Sequence, residues 1–383
     1  MPTAITNFSP MPPKKQKQKM KQFNFSKLPL LALENVVDYI ELSDIIGLSL
    51  CSKKTATAFR SARNSPKTSM EIKFHRGDFS ILLYSDENID DMVWWDFFNE
   101  HRQKKKLNEW TINGIRMKSR LDKVKCDDGE FAMCYESLGR ENQLASYMNA
   151  VISHLLFVLP NCDVDNLSIQ FGSFHDFQFQ KAVASIKTAN EVKLDGQSFN
   201  IHAKYIMSNI EVTEAFINED SLYSGGQIRD KLRCSKELIC GNTTWMMPEA
   251  LMNLNCEYAD LKKTRFSTED IMNFLRKWKN STGDDMKNIK FMMIEYLNGD
   301  EELDFEELEG KVWDPEKRAQ TFKDPLSKTY DCAKGIDIER ADGLMATVCH
   351  TEIGTLWFCV WHERFPAEKL AEEEEEVDDD EEE

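Results

Sequence analysis

The chain has 383 residues, enough for two or three domains with a sizeable core, and its 41% apolar and 30% charged composition is that of a globular protein. Net charge is −18, but the last twelve residues hold eleven of the acids, so the rest carries −7, a balance that argues against a nucleic-acid footprint. The best apolar run, Val151 to Leu159, is broken by Ser153 and His154 and falls well short of the roughly 20 residues of a membrane helix, and the N-terminus lacks a signal peptide's apolar core; a reducing, cytoplasmic or nuclear setting is expected.

Residues 1–26 form a leader with a basic cluster at Lys14, Lys15, Lys17, Lys19 and Lys21. Such runs are commonly solvated and disordered; the alternative is a nuclear-import or anionic-surface signal. Behind it, Leu28-Pro29 brings the chain in extended, because proline fixes φ and moves its predecessor out of the helical region, and then starts a helix. Leu30, Leu33, Val36, Val37 and Ile40 recur at three- and four-residue steps as one apolar stripe, with Glu34, Asn35, Asp38 and Glu41 on the wet side. Ser43 offers an N-cap to a second short helix carrying Ile45, Ile46, Leu48 and Leu50. A third begins after Ser52, with Ala56, Ala58 and Phe59 among Lys53, Lys54, Arg60 and Arg63. Three helices in roughly 36 residues fall below the about 40 at which a core usually supports itself without disulfides, metal or a partner. Their remaining burial is expected from elsewhere.

The order Leu28-Pro29, Val36, Ile40, Asp44-Ile45, Leu48-Ser49 and Cys51-Ser52-Lys53 resembles an F-box, the adaptor-binding module of cullin-RING ubiquitin ligases, over residues 27–65. The resemblance implies docking on a Skp1-type adaptor and through it on a cullin. By position, Leu28, Pro29, Val36, Ile40, Ile45, Leu48, Cys51 and Lys53 would carry that contact. The aromatic often found soon after the lysine is absent, with Thr55 near its place, an ending similar to that of the large nematode F-box group. A plain helical cap on the next domain is the competing reading.

From 66 to 140 the period becomes two. Met70, Ile72 and Phe74 alternate with charged residues, His75-Arg76-Gly77-Asp78 turns, and Phe79, Ile81 and Leu83 complete a hairpin. Asn113-Gly114 marks a second hairpin, and Asp127-Asp128-Gly129 a third leading into Phe131, Met133 and Tyr135. A small antiparallel β segment is expected, with Trp94, Trp95, Phe97 and Phe98 packed on it.

Glu141 restores the helical period, with Leu144, Met148, Val151, Ile152, Leu155 and Leu156 on one side. Beyond it, apolar pairs recur as strand centres: Leu167/Ile169, Val192/Leu194, Ala215/Ile217, Leu238/Cys240, Ala259/Leu261 and Phe291/Met293, at steps of 25, 23, 23, 21 and 32. Helical stretches 179–186, 203–207, 248–254 and 268–279 lie between, the last opening with a capping box from Ser267 to Asp270. A strand and a helix every 21 to 25 residues is the period of a leucine-rich-repeat solenoid, so residues 141–300 read as a leucine-rich-repeat-like βα array lacking the asparagine ladder. An ordinary α/β layer is the alternative. The expected fold class is thus α+β/α/β: a three-helix F-box, a small antiparallel β segment, the βα solenoid and a C-terminal β cap.

At about 241–296, Thr244-Trp245, Leu251-Met252-Asn253-Leu254-Asn255-Cys256, Phe266 to Ile271, Phe274-Leu275 and Lys277-Trp278 resemble the type-2 F-box-associated (FBA_2) domain of nematode F-box proteins, which occurs together with the F-box. Read from the residues alone, Trp245, Trp278 and Asn255 are packing and loop-closing positions. Residues 301–365 read as a linker and the β cap, with Asp342-Gly343 a turn and Leu356, Phe358 and Val360 closing the solenoid's edge; 366–383 is a solvated, disordered acidic tail.

No catalytic constellation is legible. Ser224-Gly225-Gly226-Gln227 lacks the length and lysine of a phosphate loop, and no Gly-x-Ser-x-Gly elbow occurs. Cys349 and His350 are neighbours in a strand and so face opposite ways, and the other histidines, 75, 101, 154, 175, 202 and 362, form no ligand-spaced pair. Ten cysteines without a two-residue-spaced pair give neither zinc template nor disulfide framework, so no metal or cofactor is expected. The expected function is a non-catalytic substrate receptor of an SCF-type E3 ubiquitin ligase, its F-box on Skp1 and its repeat domain on an unidentified protein client. The alternative is an interaction scaffold with no ligase role.

Overall fold

The computed structural model describes residues 28–62, 67–75, 78–85, 91–99, 107–125, 131–170, 176–195, 200–218, 233–282, 286–296, 303–351 and 354–366. The basic leader, the acidic run after 366, the expected turns at 76–77 and 127–129, and Ser224 to Gln227 lie outside them. Helices α1 (Leu30–Val37), α2 (Leu42–Cys51) and α3 (Lys53–Ser61) come first. Six strands follow: β1 (Thr68–His75), β2 (Asp78–Ser85), β3 (Met92–Asn99), β4 (Asn108–Ile112), β5 (Ile115–Lys125) and β6 (Phe131–Gly139). The long helix α4 (Glu141–Val158) then opens an alternation of β7 (Cys162–Gln170), α5 (Asp176–Ala182), β8 (Thr188–Asp195), α6 (Asn200–Asn209), β9 (Glu211–Asn218), β10 (Glu237–Cys240), α7 (Pro248–Met252), β11 (Tyr258–Thr264), α8 (Thr268–Asn280) and β12 (Phe291–Tyr296). Short strands β13 (Lys311–Val312), β14 (Thr321–Lys323), β15 (Thr329–Asp331) and β16 (Ile336–Glu339) precede β17 (Met345–His350) and β18 (Thr355–Trp361).

Apart from β14 and β15, which pair with each other, these strands make one sixteen-stranded mixed sheet in the order β13-β16-β17-β18-β12-β11-β10-β9-β8-β7-β1-β2-β3-β6-β5-β4. This overturns the expected solenoid with its separate β segment and cap. The six apolar pairs do lie on β7 to β12, which are parallel neighbours in chain order. A solenoid, however, ends in capped edges, whereas both flanks of this parallel run are continued by hydrogen-bonded strands. On one flank β1 pairs parallel with β7, Ile72 opposite Leu167; on the other β18 pairs antiparallel with β12, Ile294 opposite Leu356. Strand–helix alternation fixes the period of a βα layer but carries no information on what adjoins its outer strands.

Two further expectations change with it. The 66–140 region is not purely antiparallel, because β3 runs parallel to β6, Trp95 opposite Tyr135. Nor do Trp94, Trp95, Phe97 and Phe98 pack on the sheet: they are β3 itself, with Trp95 and Phe97 at 0% exposure and Trp94 and Phe98 on the opposite side. The Asn113-Gly114 turn joins β4 to β5 with both residues at positive φ, 48° and 82°, the geometry that matches the sheet's twist.

One side of the sheet carries the main core. Ile72, Phe74, Ile81, Trp95, Leu167, Leu194, Phe216, Leu261 and Phe358 are buried there with Met148, Val151 and Leu155 of α4 and Ile271, Phe274 and Trp278 of α8. On the opposite side, Phe322 and Tyr330 of the β14–β15 ribbon pack on Phe291 of β12, centroids 6.1 and 4.6 Å away, and Tyr330 on Trp357 of β18. That covering is pinned by Arg318, wholly buried, whose Nε donates to Asp337 at 2.8 Å while its other nitrogens donate to the carbonyls of Ala319 and Cys332. A side-chain ladder crosses β7, β8 and β9: Asn190 donates to Asp165, Thr213 donates to Asn190, and the Tyr84 hydroxyl closes it on the other Asp165 oxygen.

Candidate functional site

Helix α1 starts after Pro29, which sits at the N-cap with φ −56° and ψ 148°. Helix α2 begins at Leu42, one residue before the expected Ser43 cap, and Glu41 at its N-cap makes no capping bond. The cap comes from 49 residues away, where Asp91 Oδ2 accepts from Leu42 N–H at 2.6 Å. Helix α3 begins after Ser52 as expected, and Ser52 caps it, its Oγ accepting from Thr55 N–H at 3.1 Å.

The three helices find their missing burial within this chain. Leu33, Val37, Leu42, Ile45, Ile46, Ala56, Phe59 and Ala62 join the same core as the sheet and α4. Polar and aromatic contacts lock the seat. Ser49 Oγ donates to the Ile46 carbonyl at 2.7 Å, which leaves it to accept from His154 Nε2–H of α4 at 2.9 Å. Burial pushes the His154 imidazole below its usual value, keeping it neutral. Arg60 lies over the Phe157 ring at 4.6 Å and donates to the Phe157 carbonyl. Beneath α2, Tyr135 of β6 is fully buried; a Cβ on Gly47 would sit 3.5 Å from its hydroxyl, whose pKa burial raises to about 12.

Among the residues expected to touch an adaptor, the structure separates three groups. Ile45 is 1% exposed and belongs to the core. Leu28, Val36, Ile40 and Leu48 are partly buried, and Pro29, Cys51 and Lys53 are exposed. The sequence reading missed Leu31, 75% exposed, and Tyr39, 91% exposed. Both are large apolar residues off the α1 stripe, and that offset was the available signal. Cys51, Ser52 and Lys53 also line a cleft of about 460 Å³, whose far wall is Thr111 to Gly114 of the β4–β5 turn with His154 and Phe157 of α4.

The motif residues of the second resemblance lie inside the fold. Trp245, Leu251, Leu254, Cys256, Phe266, Phe274, Leu275 and Trp278 are each at most 1% exposed. Ser267 and Asp270 form the expected capping box, Lys277 donates to the Met252 carbonyl, and Asn255 Oδ1 accepts from Asn288 N–H. These positions build the α7–β11–α8 unit and present no reactive group. Cys349 is buried and His350 exposed on the next position, where its Nε2 meets the Tyr296 hydroxyl at 2.6 Å. Burial holds the thiols of Cys134, Cys234, Cys240 and Cys256 protonated by raising their pKa, to about 12 for Cys134. Among the described residues no three His, Cys, Asp or Glu side chains are grouped to hold a metal ion, and no helix is long and apolar enough to cross a membrane.

With this geometry in place, comparison with known proteins is specific. The F-box domain model matches residues 25–66, spanning α1 to α3, and the F-box associated model matches 228–291, spanning β10 to the start of β12. The chain carries both modules. Over most of its length it is similar to two Caenorhabditis elegans proteins. Uncharacterized protein F59B2.9 is 28% identical over 361 residues, covering 91% of this chain and 81% of the relative. Uncharacterized protein F59B2.8 is 23% identical over 366 residues, covering 92% and 80%. No solved structure matches. The similarity to these two nematode proteins therefore extends beyond the two modules, and the F-box of this chain is the part seated on α4 and β3.

Proposed function

We propose that this chain is a substrate receptor of an SCF-type ubiquitin ligase, its F-box docking on a Skp1-type adaptor and its remaining surface holding a protein client. The observation that carries the reading is the outward side of the F-box. Leu31 and Tyr39 stand in solvent beside exposed Pro29, Cys51 and Lys53 and partly buried Leu28, Val36, Ile40 and Leu48. F-box domains generally bind Skp1 within such complexes, and apolar surface of this kind, ringed by polar side chains, is what a docking partner covers. The chain contributes proximity and orientation, the entropic part of catalysis, and no reacting group of its own. Ile45 supports the adaptor surface from beneath, since its side chain is spent in the core.

The test is co-purification of a Skp1-type adaptor with the full chain and with Leu28→Ala/Pro29→Ala, Leu31→Lys and Tyr39→Lys variants. Each is expected to lose adaptor without loss of folded protein; retention of the adaptor at wild-type level by all three sinks the assignment. A second reading, an interaction scaffold without a ligase, draws on one observation: α1 to α3 obtain their burial from α4 and β3, so folding does not require the adaptor. The two part on direct adaptor binding, not on solubility.

A further inference from the structure

The side of the sheet opposite the helices is covered by the β14–β15 ribbon at its β12–β18 end, while from β3 to β10 most of its side chains remain partly buried to exposed, Ser69 and Ala215 being buried. Two apolar pairs stand on it, the second at the margin of the ribbon's cluster, against which Ile239 packs. Leu82 and Trp94 are opposite each other on β2 and β3, and Ile217 and Ile239 on β9 and β10. Between and beside them lie Glu191, Asp195 and Glu237 with the base Lys193, and Glu71, which is paired with Lys73 at 2.7 Å. The Glu237 carboxyl is held above its usual range by burial first and then by the neighbouring Glu214 and Glu191, against the lowering by Lys236.

A second, independent feature points the same way. Asp260, the register neighbour of Ile239, is only 7% exposed, and its Oδ1 has no hydrogen-bond partner among the described residues; Lys262 reaches its other oxygen at 3.5 Å. A buried carboxylate oxygen without a donor is costly to keep unless something supplies one. The geometry points to this face as the docking surface for an extended, lysine- and arginine-rich protein segment, its apolar residues seated on Trp94/Leu82 and Ile217/Ile239 and a cation directed towards Asp260.

The spacing limits the occupant. Five strand steps separate β3 from β9, about 24 Å at roughly 4.8 Å per step, which an extended chain crosses in about seven residues. The occupant is thus a segment crossing the strands with apolar residues about seven positions apart and basic residues between. Only its description as a ubiquitination client rests on the proposed function; the docking itself does not.

The experiment uses the full chain and a labelled synthetic peptide, Leu-Lys-Arg-Lys-Lys-Arg-Lys-Leu, read by fluorescence anisotropy at low and high salt. Expected results are salt-sensitive binding, a tenfold or greater loss in Trp94→Ala and in Glu191→Lys, and no change in Glu249→Lys, on exposed α7 surface. The peptide with glutamates in place of its bases is expected not to bind. Because Glu191→Lys alters a strand-surface residue, it keeps the test open if Trp94→Ala fails to fold. Binding unmoved by both face variants, as capture by the acidic tail would give, overturns the inference. A rise in affinity on deleting residues 1–26 would assign the face to the chain's own lysine-rich leader and also overturn it. Failure of the wild-type chain to bind the peptide while it still binds the adaptor refutes this inference alone, and the converse refutes only the ligase reading.

Discussion

The bond from Leu42 N–H to Asp91 ties the start of α2 to the strand layer, and its removal tests whether the F-box is seated there at all. Asp91→Ala deletes a helix cap, about 1 kcal/mol with a range of about 0.5–2. It also leaves a partly buried amide without its acceptor, a penalty of about 1–3 kcal/mol. The two overlap, so a net loss of about 1.5–2.5 kcal/mol is expected. Asp91→Asn keeps an acceptor and avoids burying a charge, and should lie within about 0.5 kcal/mol of wild type at neutral pH, since Asn and Asp cap equally well.

The two variants also differ in pH dependence. Burial, with Glu41 and Asp44 adding to it, raises the Asp91 pKa above the usual 3.8 against the lowering by the Leu42 and Ser43 amides. A raised folded value means that the folded state binds the proton more tightly than the unfolded one, so wild-type stability relative to Asp91→Asn is greatest below 3.8. It then declines as the pH rises through the folded value and stays level beyond it. Urea unfolding of the full chain, with amide exchange read at Leu42 and Ser43, measures both. An Asp91→Ala protein with the wild-type midpoint and wild-type protection at Leu42 would refute the reasoning.

His154 has the opposite sign: its lowered folded pKa gives stability that is full above the usual 6.5 and lost as the pH falls from there through the folded value, so His154→Gln should flatten the stability profile on the acid side of 6.5, and an unchanged slope in urea titrations would contradict it. Arg318→Met strands the buried Asp337 carboxylate and should cost about 3–5 kcal/mol in thermal or urea unfolding; a loss under about 1 kcal/mol would mean the pair is wetter than its 0% and 7% side-chain exposures. Gly335→Ala places a methyl against the Thr347 side chain and 2.6 Å from Cys349 Sγ, so overpacking should lower stability by about 1–3 kcal/mol, and a neutral result would show that β17 yields.

What was legible follows range. The Ser267–Asp270 box, the Asn113-Gly114 turn and the start of α3 after Ser52 are each set by residues within a few positions of one another, and each formed where expected, whereas the α1 stripe formed only in part, with Leu30 44% exposed and Glu34, expected on the wet side, buried. The Asp91 cap and the β1–β7 pairing join residues tens of positions apart, and no local period marks them. The run Val93 to Phe98 was misassigned because its aromatics do not alternate; Trp95 and Phe97 enter the core while Trp94 faces the open side, so both faces of β3 are apolar. The Asp165–Asn190–Thr213 ladder was readable, since each member stands two residues before an apolar strand pair and shares its 25- and 23-residue spacing. At the F-box the motif located the module but counted Ile45, a core residue, among the outward contacts, while Leu31 and Tyr39 face out and were marked only by their offset from the α1 stripe.

The seat of the F-box on α4 also sets a schedule. Helices α1 to α3 leave the ribosome first, yet the helix that completes their core ends at Val158, about a hundred residues later. At translation rates of about 5–20 residues per second the module waits roughly 5–20 seconds with Ile45, Ile46 and Phe59 uncovered. Nascent chains that stop short of α4 would display an F-box sequence without its finished surface, which makes the presence of α4 a checkpoint on completion of the module during synthesis.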